Sequence, residues 1–353
     1  MADARWMLYG ATGFTGTLIA EEAVRRGHRP VLAGRSPARL APLAERLGLE
    51  MVAVRLDQSE ALARAVAAVD LVFCAAGPFV VTAPPMQAAC LAAGTSYVDI
   101  TGELAVFRHT YAQDAAARAR GIALVSGAGF DVIPSDCLAA YVAAQVPGAT
   151  TLETALATHS RTSVGTTRSA LGMLGEGSQV RRNGVLCSIP LGTEARKVRF
   201  SDGERWCLPV PWGDLETAYR TTGIPNITAC LAANKGILTL LRVLGGPACR
   251  LLRVGAFARA AHWLAGRLAQ GPNEATRRHG RSFLWARAAG PAGEAQAWLE
   301  TLEAYRFTAV AGVTAVEHLL RDRPVGALSP AQALGADFIL SIEDTRRLDA
   351  VPA

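Results

Sequence analysis

Three glycines, Gly10, Gly13 and Gly16, stand in the run Tyr9-Gly10-Ala11-Thr12-Gly13-Phe14-Thr15-Gly16 near the N-terminus. Trp6-Met7-Leu8 before them reads as a short buried strand, and Leu18 to Val24 after them repeats apolar positions at helical spacing. Strand, glycine turn and helix in that order make a site for the phosphates of a dinucleotide. Gly10 permits the tight turn, Gly13 lets the main chain approach a pyrophosphate, and Gly16 lets the helix lie close on the sheet. The helix start then offers free N–H groups and a positive dipole end to the anion. Thr12, Phe14 and Thr15 complete this loop and join the glycines as candidate cofactor residues. The spacing is GxxGxxG rather than GxGxxG, a pattern that incidental glycines in an ordinary strand-turn-helix also produce.

The end of the second strand narrows the choice. Pro30 to Ala33 runs into Gly34-Arg35-Ser36, about where a dinucleotide-binding sheet carries an acid for the ribose 2′-hydroxyl of NAD. Here the slot holds a guanidinium and a hydroxyl. That pair suits a 2′-phosphate, gripped by charge-assisted hydrogen bonds, so the cofactor expected is NADP. The competing explanation is a solvated arginine at the end of a strand.

These residues need a sheet to hold them together. Apolar runs at Glu50–Arg55, Val69–Cys74, Ser96–Ile100 and Ile122–Val125 alternate with helical segments. Six strands alternating with helices predict a Rossmann-type, doubly wound parallel sheet of the α/β class, with ligands at the strand C-termini. Ala76, Gly77 and Pro78, after the fourth strand, fall where the chain passes beside the nicotinamide half of the cofactor. Beyond about Gly148 the texture changes. Thr150–His159 alternates like a strand, and Ala195–Phe200 suggests antiparallel hairpins. Ala229–Leu268 has an amphipathic helical pattern, strands resume at Arg281–Ala288 and near Ala297–Leu302, and Thr308–Leu320 reads as a helix. The second part is therefore α+β.

Half of the 353 residues are hydrophobic and 19% are charged, which supports a large core and two domains. Seven scattered cysteines, with no CxxC pair and no histidine cluster, argue against a metal site or a disulfide framework and fit a reducing cytoplasm. Met-Ala-Asp-Ala-Arg leads straight into a strand, with no secretory signal. Between Lys235 and Arg287 stand ten lysines and arginines against the single acid Glu274, punctuating apolar helices. Two readings compete there. One is a helix pair with a basic solvated face. The other is a lid that meets an acidic, greasy partner: an acyl carrier, a coenzyme A thioester or an anionic membrane surface. Nucleic acid fits poorly, because no recognised fold or interleaved stacking aromatics accompany the charge.

Taken together, YGATGFTG, AGRS, CAAGPF, CLAAGTSYVDITGE, GAGFDVIPSD and LSPAQALGADF resemble the saccharopine dehydrogenase-like oxidoreductases, and among them the trans-acting enoyl reductases. The resemblance covers the N-terminal part nearly continuously and the last quarter in patches. It implies NADP, a second domain on a large mixed sheet, and a C-terminal helix returning to the first domain. The division it suggests is 1–130 for the Rossmann domain, 131–325 for the α+β domain with a basic helical excursion at 229–280, and 326–353 for the returning helix. It also implies hydride transfer to a C=C bond of a hydrophobic or carrier-linked small molecule, or else to a C=N bond. A nucleotide sensor or lipid-surface adaptor without turnover is the reading from another class. A homodimer is compatible with all of them.

Candidate site residues come from strand ends. Asp131, in Gly129-Phe130-Asp131-Val132-Ile133-Pro134-Ser135-Asp136 after the sixth strand, serves either as a helix N-cap, with Asp136 in the first turn, or at the reaction site together with Ser135. Asp99 and Glu103 share that edge, with satisfaction of loop amides the favoured role. Hydride reduction also needs a proton, for which Tyr97, Ser135, Thr166, Ser169 and Tyr219 are candidates. No Tyr-x-x-x-Lys pair comes after the fourth strand, which argues against the short-chain dehydrogenases.

Overall fold

In a computed structural model the chain is described from residue 4 to 351, apart from 159, 161, 165–166, 168–176, 237, 242–244 and 247–270. The described residues divide into two units, Met1–Ile133 with Tyr305–Gly335, and Pro134–Ala304 with Ala336–Ala353.

The first unit is built on short, wholly buried strands, β1 (Trp6–Tyr9), β2 (Val31–Gly34) and β4 (Leu71–Cys74), joined by β3 (Met51–Ala53), β5 (Ser96–Asp99) and β6 (Ala123–Val125). Runs apolar on both faces form strands covered on both sides, the situation of a parallel sheet. A seventh strand, β15 (Gly326–Leu328), comes from far along the chain and was not expected. The observed order is β15-β6-β5-β4-β1-β2-β3, with every pairing parallel. The connections are α1 (Phe14–Arg25), α2 (Pro37–Leu47), α3 (Ser59–Ala67), α4 (Phe79–Ala93), α5 (Leu104–Ala112) and α6 (Asp114–Arg120). The strand order reverses between β1 and β4, and all strands run the same way. The ends of β1, β2, β4, β5 and β6 therefore share one edge, where ligands of such sheets bind.

The boundaries expected at 325 and 326 need correction. Helix α10 (Ala304–Asp322) and β15 lie mostly or wholly in the first unit, while the tail beyond Gly335 lies in the second. Packing explains the first point. Phe307, Ala311, Val313, Ala315 and Val316 of α10 are fully buried, and Gly312 faces Phe73 so closely that a Cβ would sit 2.8 Å from its ring. Each large apolar side chain so buried is worth about 1.5–3 kcal/mol. At the C-terminal end of α1, Arg26 donates to Thr314 at 2.8 Å and His28 meets Glu317 at 2.8 Å.

The second unit holds a mixed sheet. Its main path runs β10 (Arg196–Phe200), β11 (Gly203–Pro209), β12 (Asn226–Ala232), β7 (Thr151–Thr158), β13 (Arg281–Gly290), β14 (Gly293–Leu302) and β16 (Arg346–Leu348). The hairpin β8 (Ser178–Arg182)–β9 (Val185–Ile189) is attached at β12. β7 and β12 pair in parallel, and the other pairings are antiparallel. The sheet curls: Trp298 donates its indole N–H to the Arg199 carbonyl at 2.7 Å, and Arg205 lies 5.6 Å from the Phe283 ring. Inside the curl sit Phe200, Cys207, Cys230, Trp285 and Trp298. Glu153 is bridged by both Arg196 and Arg287. The helices are α7 (Ile133–Ala144), which enters from the first unit, α8 (Asp214–Thr222) and α9 (Glu274–His279). The short α11 (Pro330–Leu334) belongs to the first unit.

The helical pattern expected from Ala229 is corrected at its start, because Ala229–Ala232 finish strand β12 and pair with β7 and β11. Most of the remainder of that segment, with Arg242, Arg250, Arg253, Arg259 and Arg267, lies outside the described residues. Among the described residues no helix is long and apolar enough to cross a membrane, and no group of three or more His, Cys, Asp or Glu side chains is placed to hold a metal. The six described cysteines are free thiols.

Candidate dinucleotide site

Each glycine of the first motif has a different steric reason. Gly10 takes φ +87°, and a Cβ there would lie 2.8 Å from both the Cβ and the main-chain nitrogen of Ala76, so the turn rests directly on the loop after β4. At Gly16 a Cβ would come within 2.2 Å of the Gly10 carbonyl oxygen, which makes glycine the condition for seating α1 on the turn. Gly13 is exposed, and its Cβ would meet only the Gly10 carbonyl, at 3.2 Å. The space in front of it is open to a ligand.

Helix α1 begins at Phe14 with Gly13 as its N-cap. The glycine brings no capping side chain, and no acid stands in the first turn. The positive dipole end of α1 therefore suits an anion such as a pyrophosphate. Thr12 is half-buried beside them, and the Phe14 ring packs edge-on against Tyr305, with centroids 5.0 Å apart.

At the end of β2, Arg35 is exposed and has no carboxylate partner among the described residues, and Ser36, the N-cap of α2, spends no side-chain hydrogen bond on capping. One turn on, Arg39 donates to the Thr12 carbonyl at 3.1 Å. A second guanidinium thus reaches the glycine turn, which the sequence reading missed. Its signal was its place four residues after Arg35 at a helix start. Ala76, Gly77 and Pro78 leave β4 at the same edge, with Gly77 and Pro78 exposed and the Ala76 carbonyl accepting the Thr82 hydroxyl at 2.5 Å. The glycine cradle, the start of α1 and the uncommitted Arg35–Ser36 pair all fit a bound dinucleotide.

The predicted proton donors scatter. Tyr97 is fully buried in the middle of β5 and donates to the Asp99 carboxylate at 2.8 Å, and burial holds its hydroxyl well above its ordinary range. It is a core residue with no surface to offer a substrate. Ser135 is buried on α7 in the second unit, hydrogen-bonded to Asp214. Tyr219 is in the second unit as well, stacked under Arg181 at 4.1 Å. Thr166 and Ser169 lie outside the described residues.

Asp131 stands at the edge as expected, but α7 starts at Ile133, two residues beyond it. Burial pushes the Asp131 carboxyl up to about 6. Gly102 flanks it, since a Cβ there would sit 3.3 Å from the Asp131 Oδ2. Asp99 is fully buried and accepts four hydrogen bonds, from Thr101 N (2.9 Å), Gly127 N (3.0 Å), Ser126 Oγ (2.9 Å) and Tyr97 Oη. Burial lifts its carboxyl to about 6 against the pull of those donors. Glu103 accepts the main-chain N–H groups of Phe79 and Val80. Both acids thus accept main-chain amides, Asp99 from the loops after β5 and β6 and Glu103 from the start of α4.

Comparison with known proteins agrees with this geometry. Residues 10–144 match the NAD(P)H-binding family, so the first unit carries an NAD(P)H-binding domain. The chain is 37% identical over 143 residues to a trans-acting enoyl reductase of Mycobacterium ulcerans and 38% identical over 143 residues to one of Mycobacterium tuberculosis. Each alignment covers 37% of this chain and 33% of the relative, so the match spans about a third of those proteins. Among solved structures, saccharopine dehydrogenase (L-Glu forming) of Saccharomyces cerevisiae superposes with a TM-score of 0.67 at 10% identity, over 98% of this chain and 100% of that one. The chain has the saccharopine dehydrogenase-like fold.

Proposed function

We propose that this protein is an NADP-dependent reductase that delivers hydride to the C=C bond of a hydrophobic or carrier-linked unsaturated substrate. The observation that carries the cofactor preference is the end of β2, where Arg35 and Ser36 are both uncommitted and no acid awaits a ribose hydroxyl. The C=C assignment draws on the trans-acting enoyl reductases that are 37–38% identical over 143 residues of the chain.

Bound at this edge, the reduced dinucleotide supplies the hydride. The chain's own residues bind and orient. Gly10, Gly13 and Gly16 shape the turn, the start of α1 takes the diphosphate, and Arg35 with Ser36 takes the 2′-phosphate. Ala76, Gly77 and Pro78 would line the nicotinamide half. Among the acids of that edge, Asp131 rests against Gly102 and has its carboxyl raised by burial, which suits it to proton delivery. The basic stretch from Lys235 to Arg287 is the part suited to an acidic acyl carrier or a coenzyme A thioester.

NADPH and NADH oxidation measured against an α,β-unsaturated acyl thioester and a cyclic imine tests the reading. Turnover of NADPH with the thioester is expected. Arg35→Asp should weaken NADPH binding by about 30-fold, roughly 2 kcal/mol, while moving NADH far less. Equal affinity of the unmutated protein for both dinucleotides would end the NADP assignment. Turnover of the imine alone would move the chemistry to C=N. Bound NADPH that neither substrate oxidises would make the protein a sensor.

A further inference from the structure

Two long helices of the first unit, α1 and α4, begin at the ligand edge of its sheet, α1 with Gly13 and α4 with Pro78 as N-cap. At α4 the Glu103 carboxylate sits in the anion position, accepting from Phe79 N at 3.2 Å through Oε1 and from Val80 N at 2.9 Å through Oε2. The protein places its own buried anion at the start of α4, where the dipole and the leading N–H groups favour a negative charge.

How Glu103 reaches α4 is written in steps of two residues. The Asp99 carboxylate accepts from Thr101 N at 2.9 Å, and the Thr101 hydroxyl accepts from Glu103 N at 3.1 Å. The Glu103 carboxylate then takes the α4 start. Each side chain thus fixes the main chain two residues on, the local geometry that Asp and Thr favour. A second arm leaves the same aspartate: Gly127 N donates to its carboxylate at 3.0 Å, and Ala128 N donates to its carbonyl at 2.6 Å. The loop after β4, the loop after β5 and the loop after β6 are therefore joined through Asp99 and Glu103. Between the two acids lies Gly102, against which the Asp131 carboxyl rests.

We propose that the Asp99–Thr101–Glu103 relay is a positioning element that sets the Ala76–Pro78 loop and the Gly127–Asp131 loop relative to each other, with Glu103 the positioning residue for the nicotinamide end of the dinucleotide. The inference rests on the dinucleotide reading above. Glu103 touches no reacting atom. It acts by holding Phe79 and Val80, the residues that come directly after the loop assigned to the cofactor. A shift of about 1 Å in such a loop costs up to about a hundredfold where the reacting groups must align.

The test compares Glu103→Ala and Glu103→Gln with Ser329→Ala. Ser329 caps the short helix α11 with a full capping box and stands outside the proposed site, so its loss reports the cost of a missing cap alone. Melting temperature and the NADPH dissociation constant, from the change in nicotinamide fluorescence, are measured for each protein. Similar falls in melting temperature are expected for Glu103→Ala and Ser329→Ala, with NADPH weakened roughly tenfold or more in the Glu103 variant only. Glu103→Gln keeps one acceptor oxygen and should fall between, which keeps the proposal testable if the alanine variant does not fold. NADPH affinity within about twofold of the unmutated protein in both Glu103 variants would overturn the relay and leave the dinucleotide reading standing. An unmutated protein that binds neither NADPH nor NADH would overturn both.

Discussion

Asp99 and Asp214 are the same residue buried to the same degree, in two differently built surroundings. Asp99, under the parallel sheet's edge, receives two main-chain N–H groups and two hydroxyls. Asp214, at the start of α8 in the second unit, receives the Thr154 hydroxyl at 3.3 Å and the Ser135 hydroxyl, and it also feels the negative charge of Asp136. Burial raises both. The four donors keep Asp99 at about 6, whereas Asp214 is pushed up to about 7, with Asp136 adding to the effect of burial. The difference shows what a carboxylate is for in each place. Asp99 ties loops together through main-chain N–H donors, and Asp214 is held by hydroxyls between α8, α7 and β7 beside a like charge.

The largest effect should come from Asp99→Ala. It strands two N–H groups and two hydroxyls in the core, a loss on the order of 3–5 kcal/mol. Urea unfolding monitored by circular dichroism measures it. A loss below about 1 kcal/mol would mean that the donors find other partners and that Asp99 organises nothing.

Next comes pH. A carboxyl whose folded pKa is raised binds its proton more tightly when folded, so its contribution to stability is full below about 4 and falls as pH rises towards the folded value. For Asp99 the fall is complete near pH 6, and for Asp214 it continues to about pH 7. Asp214→Asn should flatten the stability profile between about pH 4 and 7, and above that range it should match or exceed the unmutated protein by a few kcal/mol. Melting curves across that range decide. A slope unchanged by the substitution would mean that Asp214 is ionised like any surface aspartate.

The smallest effect sharpens the contrast through Asp136, the charged neighbour of Asp214. Thr221 donates to the Asp136 Oδ1 at 2.7 Å. Thr221→Val keeps the shape and removes that donor, at a cost of about 1 kcal/mol or slightly more, because the bond is to a charged group. In an Asp136→Asn background the same substitution should cost less. Equal loss in both backgrounds, measured by urea unfolding, would point to packing rather than hydrogen bonding.

The two units differ just as much in how far they could be read from the residues. The parallel sheet was legible because its strands are continuous apolar runs separated by helices, and because Gly10, Gly13 and Gly16 each answer a steric demand of the turn. The exposure of Arg35 was legible too, since the residue stands just past the buried end of β2. β15 was not legible: three residues, Gly326-Ala327-Leu328, carry no periodicity, and they form a strand only because β6 offers a free edge. In the second unit one clear signal went unused. Asn183 and Gly184, at φ 48° and 79°, form the two-residue turn between β8 and β9, a pairing whose residue types announce a hairpin. Tyr97 misled because a tyrosine within a short strand can face either the core or a ligand, and Asp99 holds it in the core. The contact of Phe14 with Tyr305 had no local signal at all, being made by residues nearly three hundred apart in sequence.

The late arrival of α10 and β15 bears on how the protein is made. β15 is synthesised roughly two hundred residues after its neighbour β6, on the order of tens of seconds at ribosomal speed. Throughout that interval the nascent first unit carries an open strand edge at β6, and the face that α10 covers, including Phe73, is bare. Such an edge is a template for pairing with another chain. The growing polypeptide thus depends for its solubility on what shields the β6 edge until the last strand emerges, and chaperone demand during synthesis should be concentrated there.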